Sequence, residues 1–134
     1  MRRVIKGFSL IELLVVIGIA GVIIAVTSTS YTTAQRQARD SRRIQDMKMV
    51  QTAFEQFYAT NNSYPNTAAG NINQAFQSNA PTDPKTGTYT WNTSATAYCI
   101  CATLEGAVGN ANPPTTTSCS WNSNGSVYCV QNQQ

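Results

Sequence analysis

The chain contains no histidine, and beyond Glu55 only Asp83, Lys85 and Glu105 carry charge. The first absence removes the commonest general acid–base group and every imidazole metal site. No glycine-rich phosphate loop and no motif-placed pair of head carboxylates takes its place, so an enzymatic role lacks its chemistry and no cofactor is expected. The second absence leaves the C-terminal half solvated by Asn, Thr, Ser and Gly, without the charged faces typical of cytosolic domains, which suits an exterior setting. Calcium takes about six to eight oxygens, usually with several carboxylates. Asp83 is the calcium candidate and Glu105 the only other carboxylate beyond Glu55, too few for an expected metal site. No internal repeat breaks the 134 residues, and 14.5 kDa is the size of one compact head. Its core must be small, because residues 8–26 hold a large share of the Val, Ile and Leu.

The formal charge of +3 would hint at an acidic partner, but Arg2, Arg3 and Lys6 all precede the apolar run. Without them six basic residues balance six acidic ones, so charge gives no argument for nucleic acid. Arg36, Arg39, Arg42 and Arg43 interleave with Asp40 and Asp46 and read as a solvated helix face. Cys99, Cys101, Cys119 and Cys129 all lie in the last third of the chain. The nine residues between Cys119 and Cys129 lack the close paired spacing of a zinc ribbon. Behind an export signal, an even count reads as two disulfides.

Residues 8–26 are nineteen in number and carry one charge, Glu12. At about 1.5 Å per residue, such a helix spans most of a bilayer core. The basic residues ahead of it keep the N-terminus cytoplasmic and send the remainder outward, in agreement with the cysteines. An ionised carboxylate inside an apolar helix costs about 2.5 to 3.5 kcal/mol and calls for a partner. A disposable secretory signal has no use for one.

The run Lys6-Gly7-Phe8-Ser9-Leu10-Ile11-Glu12-Leu13-Leu14-Val15-Val16-Ile17 resembles the N-terminal cleavage and methylation motif of type IV prepilins and type II secretion pseudopilins. The resemblance implies cleavage between Gly7 and Phe8 and methylation of the new amine on Phe8. It also implies a role for Glu12, which would meet the Phe8 amine of a neighbouring subunit and set the axial register of assembly. Gly21 matches the glycine at which the family's helix loses regular structure in filaments. Gly18 and Gly21 together read equally as small residues for close helix packing. The hydroxyls of residues 27–30 could satisfy backbone groups freed by melting. The implied partners are a prepilin peptidase, an assembly platform driven by a cytoplasmic ATPase, related minor pilins and further copies of the chain in a helical filament. The implied location is the cytoplasmic membrane as a single-pass precursor, then a surface filament. The competing reading is a secreted or membrane-tethered, disulfide-stapled binding module that never polymerises.

Residues 34–59 contain no Gly or Pro, and Ile44, Met47, Val50, Phe54, Phe57 and Tyr58 recur at three- and four-residue spacing. This predicts an amphipathic helix continuing from the apolar run, about fifty residues in all. Asn61-Asn62-Ser63-Tyr64-Pro65 should end it, since asparagine tolerates left-handed geometry and Pro65 disfavours helix at Tyr64. A helical turn is expected within 68–77, and strands at 88–91 and 97–104. A hairpin is expected to join 118–121 to 126–130 across Asn122-Ser123-Asn124-Gly125. Tyr89 and Trp91 should share one face against the helix stripe. Cys99 and Cys101 share a face, while Cys119 and Cys129 fall on opposite faces of a regular hairpin. That leans toward each joining the Cys99/Cys101 strand, although a bulge would reverse it and three pairings are open. The expected fold is α+β and pilin-like, a long N-terminal helix packed on a small antiparallel sheet. Its divisions are a leader at 1–7, a transmembrane or filament-core helix at 8–33, and a head at 34–134.

Overall fold

A computed structural model describes residues 7–66, 72–76 and 79–134, with side chains throughout except at 26–30. Arg2, Arg3, Lys6, the hydroxyls of residues 27–30 and the ends of the turn expected at 68–77 lie outside the described residues. Helix α1, Leu10–Asn61, is unbroken over 52 residues, and the chain divides into two units, Met1–Gln35 and Arg36–Gln134.

In the first unit, residues 7–9 are irregular and the carbonyl of Ser9 accepts from the amides of Glu12 and Leu13 at 3.1 and 3.2 Å, which starts the helix. Glu12 stands in the first turn, where the helix dipole favours a carboxylate. Gly18 and Gly21 lie inside regular helix, and a Cβ added at either would meet nothing within 4 Å. Every described apolar side chain from Leu10 to Ile24 is exposed, on all sides of the helix. Among the described residues no helix is long and apolar enough to cross a membrane. Part of the span expected over 8–33 falls on residues 26–30, whose side chains lie outside the described ones.

In the second unit, Met47, Val50 and Phe54 of α1 are fully buried, while Ile44, Phe57 and Tyr58 are only half-buried. The helix stops where Asn62 adopts φ 51°, its amide donating to the carbonyl of Tyr58 at 2.8 Å. Tyr64 and Pro65 then turn back into the core, and a short 3₁₀ turn follows at Ile72–Ala75.

Five antiparallel strands complete this unit: β1 Thr90–Thr93, β2 Tyr98–Thr103, β3 Gly109–Asn112, β4 Ser120–Gly125 and β5 Val127–Gln131, in the order β1-β2-β5-β3-β4. Because side chains alternate along β2, the sheet separates two cores. Tyr98, Ile100 and Ala102 join Met47, Val50, Phe54, Tyr64, Tyr89 and Val130 on the helix side. Cys99 and Cys101 join Ala111, Cys119, Val127 and Cys129 on the other. Tyr89 is buried and Trp91 packs against the same cluster, its ring 6.2 Å from that of Phe54.

The expected hairpin does not form. Asn122-Ser123-Asn124-Gly125 continues β4 instead of turning, β4 pairs with β3, and β5 pairs with both β2 and β3. The cause is β3 itself, whose sequence Gly-Asn-Ala-Asn carries almost no intrinsic strand preference and yet sits between β4 and β5. Glycine makes the crossing possible. A Cβ at Gly109 would fall on the backbone of Val127, and one at Gly125 on the backbone of Ala111. Cys119 and Cys129 consequently lie in the same buried cluster, not on opposite faces of a hairpin.

Candidate functional site

The bond between Gly7 and Phe8 lies in the irregular segment just ahead of α1, and Phe8 is 81% exposed. A Cβ at Gly7 would meet nothing within 4 Å, so access to this bond is open on the described side. A protease needs extended, reachable backbone, and the first helical residue is Leu10. Glu12 follows two residues later, within the first turn, exposed, with its backbone amide held by Ser9. Among the described residues no ion pair and no side-chain hydrogen bond engages its carboxylate. Here a carboxylate without a partner among the described residues stands amid exposed apolar side chains.

The second unit treats its charges in the opposite way. Arg43 and Asp40, expected on a solvated face, are buried at 4% and 1% exposure. The Arg43 guanidinium reaches Asp83 through Nε–Oδ2 at 2.6 Å and a second nitrogen to Oδ1 at 3.0 Å. Its remaining nitrogen donates to Asp40 and to Glu105, each at 2.9 Å. Arg39 clamps Glu105 bidentately at 2.8 and 2.6 Å. Asp40 also accepts the amides of Glu105, Gly106 and Ala107 at 2.8 to 3.0 Å. Burial alone would push the Asp40 carboxyl up, but these three amides and Arg43 together hold it below its ordinary range. Asp83 is lowered chiefly by Arg43, and Glu105 is lowered to about 2, chiefly by Arg39. The network is a strap that ties the loops at 83–87 and 104–107 to the helix.

A signal for this cluster was present in the sequence. Asp40 and Arg43 extend the stripe Met47, Val50, Phe54 backwards at the same three- and four-residue spacing. Only their polarity disguised them as surface. Lower on the same helix, Glu55 accepts from the hydroxyls of Tyr64 and Tyr98 and from the amide of Gln133. Burial first, then Glu55, raises both phenols, Tyr64 to about 12. Tyr89 donates to Asp46 at 2.6 Å and is likewise raised, first by burial.

For calcium, the donor set does not fit. Both oxygens of Asp83 face the Arg43 guanidinium, and one of them also caps the amides of Lys85 and Gly87. Glu105 is shared among Arg39, Arg43 and Lys85. A cation would have to displace a buried guanidinium.

The four cysteines converge on the far side of the sheet. Cys99 is joined to Cys119 and Cys101 to Cys129, so each bridge ties the β2 strand to a different segment. Cys101 and Cys129 are direct cross-strand partners of β2 and β5. Sequence reasoning reached the strand that anchors both bridges but not the partner of each cysteine, because that depends on where β3 sits.

Comparison with known families connects the first unit to a defined signal. Residues 2–28 match the model of the prokaryotic N-terminal methylation motif, the signal motif of type IV pilins and pseudopilins. The match takes in Gly7, Phe8, Glu12, Gly18 and Gly21. Neither the curated proteins nor the solved structures compared with the chain give a match.

Proposed function

We propose that the chain is a structural subunit of a type IV pilus or a type II secretion-like pseudopilus, and no enzyme. A prepilin peptidase removes residues 1–7, the exposed Phe8 becomes the methylated N-terminus, and the subunit waits in the cytoplasmic membrane through residues 8–33 with the unit from residue 34 onward outside. An assembly platform then draws it into a helical filament of like subunits and related minor pilins. The observation that carries this reading is the combination of the motif over 2–28 with apolar side chains exposed on every side of the same helix. Fully burying a single Leu, Ile or Val is worth about 1.5 to 3 kcal/mol, so eleven of them left in water would be a severe liability. Membrane and filament core both remove it.

The liberated amine of Phe8 and the carboxylate of Glu12 supply specificity to an association that is otherwise only greasy. Each charge in the apolar layer is satisfied when a neighbour stands at one axial offset, so the pair selects register more than it adds stability. Gly18 and Gly21 leave room for close helix approach. N-terminal sequencing with mass spectrometry of the mature protein tests the reading directly. The expected product begins at Phe8 and carries one N-methyl group. A product beginning beyond Ser28 would instead mark an ordinary secreted module and end the proposal.

A further inference from the structure

The sulfurs of Cys99, Cys101, Cys119 and Cys129 all lie within 4.8 Å of one another, and those of Cys99 and Cys101, which belong to different bridges, are 3.7 Å apart. A zinc ion bound by four thiolates at about 2.3 Å places its sulfurs about 3.8 Å from each other in a tetrahedron. The Cys99 and Cys101 sulfurs already have that spacing. All four residues are at least nine-tenths buried, and three are fixed by strand pairing: Cys99 and Cys101 on β2, Cys129 opposite Cys101 on β5. The peptide groups of Cys129 are further held by Asn110, whose amide donates to the carbonyl at 3.0 Å and whose oxygen accepts the N–H at 2.7 Å.

We propose that the reduced chain binds one tetrahedral divalent ion of the zinc type at Cys99, Cys101, Cys119 and Cys129, so that the same positions staple the sheet in two chemical states. Reaching that state from the oxidised one takes two electrons and two protons per bridge, giving four thiols: a dithiol supplies both and becomes a disulfide, whereas a phosphine supplies the electrons and becomes a phosphine oxide, water giving the protons and the oxygen. The ion then displaces up to four protons and leaves a tetrathiolate of net charge −2, half that of four bare thiolates. Burial of this charge among Ala111 and Val127 is the main cost of the site. In its favour, the ion ties Cys119 and β5 to β2 as the bridges do. The reading is independent of polymerisation.

The test uses the full chain in detergent, reduced with a phosphine under anaerobic conditions and titrated with Co2+. The expected result is saturation at one equivalent, with the intense visible absorption of tetrahedral tetrathiolate Co2+, bleached by Zn2+. The sheet signal in far-ultraviolet circular dichroism should be retained and the melting temperature raised over that of the metal-free reduced chain. Cys119→Ser should lose most of that absorption, and Cys99→Ser with Cys119→Ser all of it. Absorption of octahedral type, uptake by the oxidised chain to the same extent, or tetrahedral binding by a chain without sheet signal would each overturn the proposal. The double variant keeps the Cys101 to Cys129 bridge when oxidised, so its folding can be checked separately.

Discussion

Two ends of one helix handle carboxylates in opposite ways. Glu12 sits among exposed apolar side chains with no described partner, whereas Asp40, buried in the second unit, is met by three amides and a guanidinium. The opposite charge at Asp40 comes from the same chain, from Arg43 one turn on, and that guanidinium also holds Asp83 and Glu105, 40 and 62 residues away from it in sequence. Around Glu12 an opposite charge must come from elsewhere. A charge satisfied internally serves folding; in the function proposed above, one left open in an apolar layer serves association, so that one part of the chain completes itself and the other is completed by a neighbour.

The largest effect expected from breaking the contrast is at Glu12. Glu12→Ala or Glu12→Gln should enter the membrane at least as readily, being spared about 2.5 to 3.5 kcal/mol of charge burial. Filament yield, measured by shearing and electron microscopy, should fall at least about tenfold, the equivalent of roughly 1.4 kcal/mol in assembly. The melting of the second unit should not move. Normal filaments from either variant would remove the role given to this carboxylate.

Arg43→Met should do the reverse, sparing processing at Gly7 while leaving Asp40 and Asp83 buried without their cation. Removing one partner of a buried ion pair costs about 3 to 5 kcal/mol. For a unit of this size that lowers the melting temperature by roughly 12 °C or more. A thermal scan of the full chain in detergent checks it, and a shift of only a degree or two would mean that the strap contributes little.

Acid should separate the two regions next. Asp40, Asp83 and Glu105 all have carboxyls lowered in the folded state, Glu105 to about 2. A folded value below the unfolded value, about 4 for a carboxylate, means that the stabilisation is complete above that pH and is lost as pH falls toward 2. Denaturation midpoints should therefore hold down to about pH 4.5 and drop below it, and the drop should be much shallower in Arg43→Met. The smallest change is Tyr98→Phe, which deletes one donor to Glu55 while Tyr64 and Gln133 remain. About 1 kcal/mol is expected from urea midpoints, with no effect on assembly.

Much of this was legible in the residues. The helix stop was read from Asn62 and Pro65, and Asn62 does take the left-handed conformation. Alternation at 97–104 located β2 and put Cys99 and Cys101 on one face. The reading failed where polarity was taken for exposure, at Asp40 and Arg43, although their spacing placed them on the core stripe. It failed again at β3, because Gly-Asn-Ala-Asn has no strand signature and becomes a strand only through its neighbours.

What the sequence determined alone was everything carried by near neighbours along the chain: the cleavage motif around Gly7 and Phe8, the lone Glu12 in its apolar run, the helical periodicity and its asparagine stop. Tertiary structure alone decided the strand order, the partner of each cysteine and the joining of Arg43 to Asp83 and Glu105. The physical reason is range. Caps, motifs and periodicity act within a few residues, whereas the buried Arg43 guanidinium depends on carboxylates 40 and 62 residues away, and β3 on strand partners 8 to 16 residues further along.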